Sequence, residues 1–410
     1  MKILQISYSN YLGGASRAVW RLHKCMSKNN INTDLMVINA DKTISKKIFS
    51  PYNKLQYKIF FLKKILSSLF SKIFLPNRLS IQSCSLFQTN FYKFINSSSY
   101  DIINLHWICA ETMSIEDIGK VKKPIVWTLH DMWPFTKTEH FTFNNDWKTI
   151  IDKKKNNISS FIQKIVLRRK LLNWKKKNFY IVGVSDWISN CAKKSLLFRN
   201  NKIVTIGNTL DFNFWKPIDK VSCKKYFNIP FNVKVFGHGS LGKSNQLLKG
   251  RDLLEKALEI SNFKKTKAVI LNFGDTNLNL NSEIKVINLG KLMSDKDILF
   301  FYNSLDFFIN SSRLESFGQT ALEANSCGVP VLCFNTSGLK DIIKNKKNGL
   351  CIENFNINKF AKGLNFFLNI NKSDYKKMSN FSRKHVLKKF SYNAISKKYM
   401  NLYSEIKNNN

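Results

Sequence analysis

The feature that most constrains this chain is the alternation of short β-branched runs with helical patterns along most of its 410 residues. This alternation is typical of parallel sheets joined by crossover helices. The chain is longer than one hydrophobic core usually serves, so two domains are expected. The predicted strands are Ile3–Ser7, Thr33–Asn39, Ile102–Leu105, Ile125–Leu129 and Phe179–Val184 in the first half, and Val233–Gly237, Lys267–Phe273, Lys285–Leu289, Phe307–Asn310 and Pro330–Phe334 in the second.

An irregular segment that contains Asn and Pro separates the two series of strands. It follows a further predicted strand that begins at Lys202, and it extends to Pro217. We therefore predict an α/β protein of two Rossmann-like, doubly wound domains, residues 1–209 and 210–390. Two such domains facing each other would form a cleft at the carboxyl ends of both sheets, where ligands bind in these folds. Helical spacing of apolar residues predicts that 391–410 form a helix that packs back on the first domain.

The cysteines and the apolar stretches bear on localisation. The eight cysteines are scattered without a C-x-x-C pair, which is typical of reduced cytosolic thiols and argues against a zinc site. The apolar run after Lys2 is too short for the core of a signal peptide. The most apolar later stretch, Tyr57–Leu75, contains four lysines, which the centre of a membrane-spanning helix would not tolerate. We therefore predict a cytoplasmic protein with no transmembrane segment and no metal site.

The formal charge of +39 is the outlier of the composition. Abundant Lys, Asn, Ile and Phe are expected from an AT-rich gene, so part of the lysine excess needs no binding partner. A basic surface could instead bind nucleic acid or an anionic membrane. No zinc-finger, RNA-recognition or helix-turn-helix signature accompanies the charge, so no nucleic-acid partner is expected.

A basic amphipathic pattern is concentrated between Asp41 and Asp101, where the sequence has no other Asp or Glu. Six basic residues interleave there with large apolar ones, a pattern typical of a helix that lies in a membrane interface. A second basic block spans Lys153–Lys177. Solvated or core-packed helices would show the same pattern. The sequence thus leaves open whether the protein binds peripherally to an anionic membrane, which would be the inner face of the plasma membrane.

The strongest motif is Ser311–Pro330, in which a polar loop and a helix follow a predicted strand. Glu315 is expected in the loop at the carboxyl edge of the sheet, and Glu323 on the helix. This helix is predicted to begin about Phe317 and to end at Gly328, a typical C-terminal glycine. The backbone amides of its first turn would form a site for a diphosphate. The residues that offer these amides are Gly318, Gln319 and Thr320.

The spacing of the two glutamates, followed by Ala-x-x-Cys-Gly-x-Pro-Val, resembles glycosyltransferase family 4 and its retaining GT-B relatives. The resemblance implies that Glu315 contacts the transferred sugar and that Glu323 holds the nucleotide ribose. It also implies a nucleoside diphosphate sugar as co-substrate, retention of configuration, and no metal ion or other cofactor. Through Leu105–Trp107 and Trp127–Trp133 the chain is similar to transferases of bacterial capsule, exopolysaccharide and O-antigen assembly. A glycan or polyprenyl-linked glycan acceptor is implied.

Further motifs extend the resemblance over nearly the whole chain. Gly13 and Gly14 follow the first strand and open a helix, where the family places a glycine-rich loop near the donor phosphates or the acceptor. His130 and Asp131 end a predicted strand. The resemblance implies that His130 touches the donor sugar and that Asp131 orients it or contacts the acceptor, while His106 could line the same cleft. The alternatives are a plain tight turn for the glycines and a loop hydrogen bond for the histidine.

The donor-phosphate region departs from the family pattern. Relatives carry an Arg shortly after the first strand of the second domain, and a Lys before a Gly a few residues later. Here the Arg is absent, while Lys249 precedes a Gly. We expect Lys249 to contact the diphosphate, although a solvated loop lysine is the alternative. Ser240 or His238 is expected to fill the position of the missing Arg, unless Lys243 or Arg251 substitutes.

The sequence therefore predicts a retaining glycosyltransferase of surface-polysaccharide biosynthesis. A nucleotide-sugar 2-epimerase is the nearest alternative enzyme, because it shares the GT-B fold and acts on the donor alone. A third hypothesis, which the missing Arg favours, is a basic scaffold on anionic membrane surfaces that has lost activity. The retained Glu315, Glu323 and Lys249 weigh against that hypothesis.

Overall fold

The structure is a computed structural model. It describes residues 1–409 except 12, 41–45, 78–79, 144–156, 241–246, 266, 276, 279, 281–283 and 293. The chain divides into two compact units. The first unit comprises Met1–Thr209 and Ile395–Asn410, and the second comprises Leu210–Ala394.

The first unit is built on a parallel sheet of seven strands. Its elements up to residue 209 are β1 (Ile3–Ser9), α1 (Gly13–Lys28), β2 (Thr33–Asn39), β3 (Ile48–Phe49), α2 (Lys54–Phe74), α3 (Phe91–Ser97), β4 (Ile102–Leu105), α4 (Ile115–Lys120), β5 (Ile125–Leu129), α5 (Ile158–Trp174), β6 (Phe179–Gly183), α6 (Asp186–Lys194) and β7 (Lys202–Thr205). The strands lie in the order β3-β2-β1-β4-β5-β6-β7. The central strands β1, β4 and β5 are buried along their whole length, as expected for a parallel sheet whose faces are covered.

The second unit is built on a parallel sheet of six strands. Its elements are α7 (Lys220–Tyr226), β8 (Lys234–Ser240), α8 (Arg251–Glu259), β9 (Ala268–Gly274), β10 (Lys285–Asn288), α9 (Asp295–Ser304), β11 (Phe307–Asn310), α10 (Gln319–Ser326), β12 (Val331–Phe334), α11 (Leu339–Ile342), β13 (Gly349–Ile352), α12 (Ile357–Asn369) and α13 (Lys372–Phe390). The strand order is β10-β9-β8-β11-β12-β13. Aromatic side chains fill its core, where the Phe307 ring lies 3.9 Å from Phe236 and 4.4 Å from Phe367, measured between ring centroids.

The last helix, α14 (Tyr392–Asn408), packs on the first unit. The Asn104 amide on β4 donates a hydrogen bond to the Tyr403 hydroxyl at 2.8 Å, and the Thr128 hydroxyl on β5 lies 3.2 Å from the Tyr399 hydroxyl. All four side chains are buried, so these bonds are shielded from water. Two Rossmann-like units and a C-terminal helix that packs on the first are therefore confirmed.

The helix α2 begins with a reciprocal capping box. The Asn53 side chain accepts a hydrogen bond from the Gln56 amide at 2.9 Å, and the Gln56 side chain accepts one from the Asn53 amide at 3.0 Å. Such a box satisfies two amides that a helix start would otherwise leave unpaired.

Among the described helices, α2 included, none has the length and apolarity needed to cross a membrane.

Candidate active site

The predicted diphosphate site lies where β11 gives way to α10. Gly318 precedes α10 with a φ of +105°, a conformation that side chains other than glycine rarely adopt. A Cβ atom there would lie 2.7 Å from Leu339 Cδ2, so the loop passes too closely for a larger residue. The first intrahelical bond runs from Leu322 N to Gly318 O at 3.1 Å. The backbone amides ahead of it, those of Gln319 and Thr320 included, are directed out of the helix end.

Glu315 is held in the loop by both its backbone and its side chain. Its amide donates to Ser337 Oγ at 2.8 Å, and its carbonyl accepts from the Gly338 amide at 2.9 Å. Its carboxylate oxygen Oε1 accepts from Lys249 Nζ at 2.7 Å and from Ser312 Oγ at 2.8 Å. Glu315 thus lies in a polar loop, as the sequence predicts, but the sequence does not indicate that Lys249 would pair with the carboxylate or that Ser337 would accept from the backbone amide.

The loop that carries Lys249 is fastened to the Glu315 loop. Gly250 has a φ of +64°, and a Cβ atom there would lie 2.0 Å from Ser311 O. The Ser311 hydroxyl donates to Lys249 O at 2.9 Å. Arg313 binds both carboxylate oxygens of Asp252 at 2.6 Å, a bidentate geometry that fixes direction as well as distance. Lys249 thus occupies a defined position in the site, which does not fit the alternative of a solvated loop lysine.

Glu323 lies on α10 and is almost completely buried, with 4% of the residue exposed. Its Oε2 atom accepts a hydrogen bond from the Tyr302 hydroxyl at 2.9 Å. Burying a carboxylate is costly unless hydrogen bonds compensate, and Tyr302 supplies one of them. The sequence did not predict a role for Tyr302 in the site, because a tyrosine in the apolar face of a helix is usually a core residue.

Two of the four residues considered for the missing arginine have described side chains, a buried histidine and an arginine that forms an ion pair. His238 is buried on β8, its Nδ1 atom 2.9 Å from Asn272 Oδ1. Burial lowers the pKa of His238, so the ring is neutral at pH 7 and cannot replace a guanidinium. Arg251 forms an ion pair one turn along its own helix. The side chain of Ser240 and all of Lys243 lie outside the described residues.

In the first unit, His130 at the end of β5 pairs with His106 at the end of β4. Their Nε2 and Nδ1 atoms are 3.0 Å apart. Burial lowers the pKa of His130 to about 4 and that of His106 well below its usual range, so both rings are neutral at pH 7. Within the described residues, the buried His106 Nε2 atom has no hydrogen-bond partner. An unpaired lone pair is tolerated better at this buried atom than an unpaired N–H. From this pattern we assign the proton of His106 to Nδ1, which donates to His130 Nε2, and the proton of His130 to its own Nδ1.

Asp131 does not orient His130, contrary to one of the two roles expected from the sequence. Its Oδ2 atom accepts from Trp107 Nε1 at 2.7 Å and from His140 Nδ1 at 2.5 Å. The residue that orients His130 is instead His106. Asp131 is buried and supports the loop that follows β5. Among the described residues, no three His, Cys, Asp or Glu side chains are grouped as metal ligands.

Lys170 also supports the loop after β5, although the sequence placed it in a basic block. Its side chain is completely buried. Its Nζ atom donates to Trp133 O at 2.5 Å and to Thr136 O at 3.1 Å, and it lies 3.9 Å from the centroid of the Trp133 ring. Burial lowers the pKa of Lys170 to about 7. The signal for this role in the sequence was that Lys170 follows the helical spacing of the buried apolar residues of α5.

The predicted glycine loop forms the first turn of α1. Gly13 has a φ of +84°, which explains the need for glycine there. Gly13 and Gly14 are both exposed, and no described atom lies within 4 Å of where their Cβ atoms would be. That these two glycines lie near the donor or the acceptor stays a prediction.

Comparison with known proteins identifies the architecture. The structure of HepE from Anabaena in complex with UDP and glucose superimposes with a TM-score of 0.66 at 16% sequence identity, over 99% of this chain and 100% of HepE. The chain has the GT-B fold. Residues 246–385 match the family model described as glycosyl transferases group 1. In this GT-B chain the matched region contains Lys249, Glu315 and Glu323, whereas Gly13 and His130 lie outside it.

Two relatives by sequence are glycosyltransferases in name. An uncharacterized glycosyltransferase of Haemophilus influenzae is 28% identical over 193 residues, which are 45% of this GT-B chain and 51% of that protein. The capsular polysaccharide biosynthesis glycosyltransferase CapM of Staphylococcus aureus is 22% identical over 235 residues, 55% of this chain and 61% of CapM. The chain thus spans about half to three fifths of the length of these relatives.

Proposed function

We propose that the protein is a retaining, metal-independent glycosyltransferase that uses a nucleoside diphosphate sugar. The observation that carries the proposal is the ion pair of Lys249 with Glu315, 2.7 Å long, in the loop that leads into α10. A cation and a helix N-terminus favour an anion, and a carboxylate beside them suits sugar hydroxyls. This combination fits a diphosphate attached to a sugar better than it fits either group alone.

Each site residue of the second unit has a chemical role in this proposal. Lys249 and the amides of Gln319 and Thr320 bind the diphosphate and stabilise the charge that develops as it leaves. Glu315 accepts hydrogen bonds from the hydroxyls of the transferred sugar. Glu323 accepts hydrogen bonds from the ribose. A charged hydrogen bond contributes about 1.5 to 3 kcal/mol, so Lys249 alone partly offsets the missing arginine.

The first unit contributes a neutral donor. His130 carries its proton on Nδ1 and has a pKa lowered to about 4, so it can donate to a sugar hydroxyl without adding charge. The acceptor hydroxyl forms the new glycosidic bond on the face from which the diphosphate departs, and its proton passes to the departing phosphate oxygen. This step needs no protein nucleophile and no metal ion.

Relatives support the class of donor and acceptor. HepE holds UDP and glucose in its crystal structure, which favours a UDP-sugar, and the name of CapM refers to capsular polysaccharide biosynthesis. We therefore propose a glycan or polyprenyl-linked glycan of a surface polysaccharide as acceptor, and a cytoplasmic site of action.

Calorimetric titration with a panel of UDP-, GDP-, ADP- and CMP-sugars tests the donor class. We expect selective binding of one nucleoside diphosphate sugar, lost in Glu323→Ala and retained in Glu353→Ala, a matched change at an exposed glutamate of the same unit. Binding of no sugar nucleotide would favour the inactive scaffold. Incubation of the bound donor without acceptor then separates the enzymes, because a 2-epimerase forms an epimer of the donor and a transferase does not.

A further inference from the structure

The helix α2 presents an exposed apolar face to its surroundings. Its buried residues are only Phe60, Ser67 and Ser71. Six large aliphatic residues fall within an arc of roughly 80° at about 100° per residue, on the side of the helix opposite those three. An amphipathic helix normally buries such an arc. The six residues, each between 48% and 68% exposed, are Leu55, Ile59, Leu62, Leu66, Leu69 and Ile73.

Lysines border this face on both sides. Lys54, Lys58 and Lys72 lie along one edge of the apolar arc, and Lys63 lies along the other. The helix contains no Asp or Glu. The remaining lysine, Lys64, is turned toward the sheet and donates to the Tyr8 hydroxyl at 3.1 Å. The other lysines of α2 therefore flank the apolar residues.

The helix α5 carries a second apolar stripe that begins next to the end of α2. The Ser159 hydroxyl in the first turn of α5 donates to Phe74 O at 2.6 Å. Four exposed residues of α5 lie within an arc of roughly 60°, opposite its buried residues Val166, Leu167 and Trp174. The exposed arc is bordered by the charged side chains Lys164 and Arg168. The four residues are Ile158, Phe161, Ile165 and Leu172.

We propose that these two stripes, the α2–α5 face, bind the surface of an anionic lipid bilayer, with α2 lying in the plane of the interface. Aliphatic side chains would enter the boundary between headgroups and acyl chains, while the bordering lysines contact anionic headgroups. Each basic residue near an anionic surface strengthens binding, and salt weakens this contribution. The chain's formal charge of +39 acts in the same direction.

Charge argues for a bilayer and against a second copy of the chain as the partner of this face. Two copies that paired through α2 would bring the rows of Lys54, Lys58 and Lys72 together, and like charges repel. An anionic membrane instead neutralises both borders at once. The proposal does not rest on the proposed transfer reaction, since donor binding concerns residues of the second unit and can be measured without lipid.

Co-sedimentation of the full-length protein with vesicles tests the proposal. One set contains phosphatidylglycerol in phosphatidylcholine and the other phosphatidylcholine alone, each at low and high salt. We expect binding to the anionic vesicles that falls with salt, and a loss of about tenfold or more in affinity for Leu66→Glu and Phe161→Glu. The matched control is Phe231→Glu in the second unit, which makes the same charge change at a residue that is 60% exposed.

Three results would overturn the proposal. The first is no binding to anionic vesicles, or equal binding to both sets. The second is an equal loss in Leu66→Glu and Phe231→Glu. The third is a dimer by light scattering that Leu66→Glu converts to a monomer, which would assign the face to a second copy. Should Leu66→Glu fail to fold, Lys58→Gln with Lys72→Gln must weaken binding more than Lys397→Gln with Lys398→Gln, a pair on the exposed side of α14.

Discussion

Replacing Lys170 with Met should change how the stability of the first unit depends on pH. Lys170 is completely buried, and its amine donates to the carbonyls of Trp133 and Thr136. Methionine has a similar length and volume but no ionisable group. Lys170→Met therefore removes the titrating amine from the interior while it retains most of the packing around the Trp133 ring.

The size of this pH-dependent change in the free energy of unfolding follows from the shift in the pKa of Lys170. Burial lowers the pKa of Lys170 from 10.5 to about 7. Between these values the unfolded chain binds more protons than the folded one, so the free energy of unfolding rises with pH across that window. One pKa unit corresponds to about 1.4 kcal/mol, and the wild type should gain about 2 kcal/mol between about pH 7 and about pH 9 from this group. Lys170→Met should lack this gain.

Urea unfolding followed by tryptophan fluorescence measures the effect, because seven of the eight tryptophans precede residue 210. A reductant keeps the free thiols from reacting. Lys164→Met, an exposed change on the same helix, should follow the wild type. If wild type, Lys164→Met and Lys170→Met show parallel pH dependence, the amine of Lys170 is not shifted by burial and the reasoning is refuted.

Two further predictions concern the site residues. Gly250→Ala should lower the free energy of unfolding by about 2 kcal/mol or more relative to Gly290→Ala, because both glycines have φ near +65° but only at Gly250 would a Cβ meet Ser311 O, at 2.0 Å. Urea unfolding of the two variants checks this, and equal losses would contradict it. The His130 ring should titrate with a midpoint of about 4. NMR of labelled histidine measures this midpoint, with the signal assigned from the variant His130→Gln. A midpoint near 6.5 would show that burial does not control this ring.

The strands of this protein could be predicted where apolar runs are bounded by polar residues. Thr33–Asn39 and Phe307–Asn310 begin and end as predicted. The strand Gly349–Ile352 was missed because its start reads as an Asn-Gly turn, while Ile48–Phe49 is too short to give a pattern. Both are strands because a neighbouring strand pairs with them, which local sequence does not encode.

The composition of the site could be predicted better than its contacts. The motif identified Glu315, and the glycine that follows Lys249 identified Lys249, but 66 residues separate the two, and their ion pair depends on how the loops pack. The same holds for Asp131, whose partners are Trp107 and His140 rather than the adjacent His130. Sequence pattern shows which residues are polar at strand ends, whereas packing decides which of them meet.

The measurement that tests the central claim most directly is the calorimetric affinity of the selected donor for wild type, Glu323→Ala and Lys249→Met, with Lys256→Met as the control at an exposed lysine. We predict a loss of about tenfold or more for Lys249→Met, since a charged hydrogen bond to the diphosphate is removed, and unchanged affinity for the control. Affinity for the nucleoside without phosphates should be reduced by Glu323→Ala but not by Lys249→Met. Wild-type affinity of Lys249→Met for the sugar nucleotide would contradict a diphosphate site at this pair.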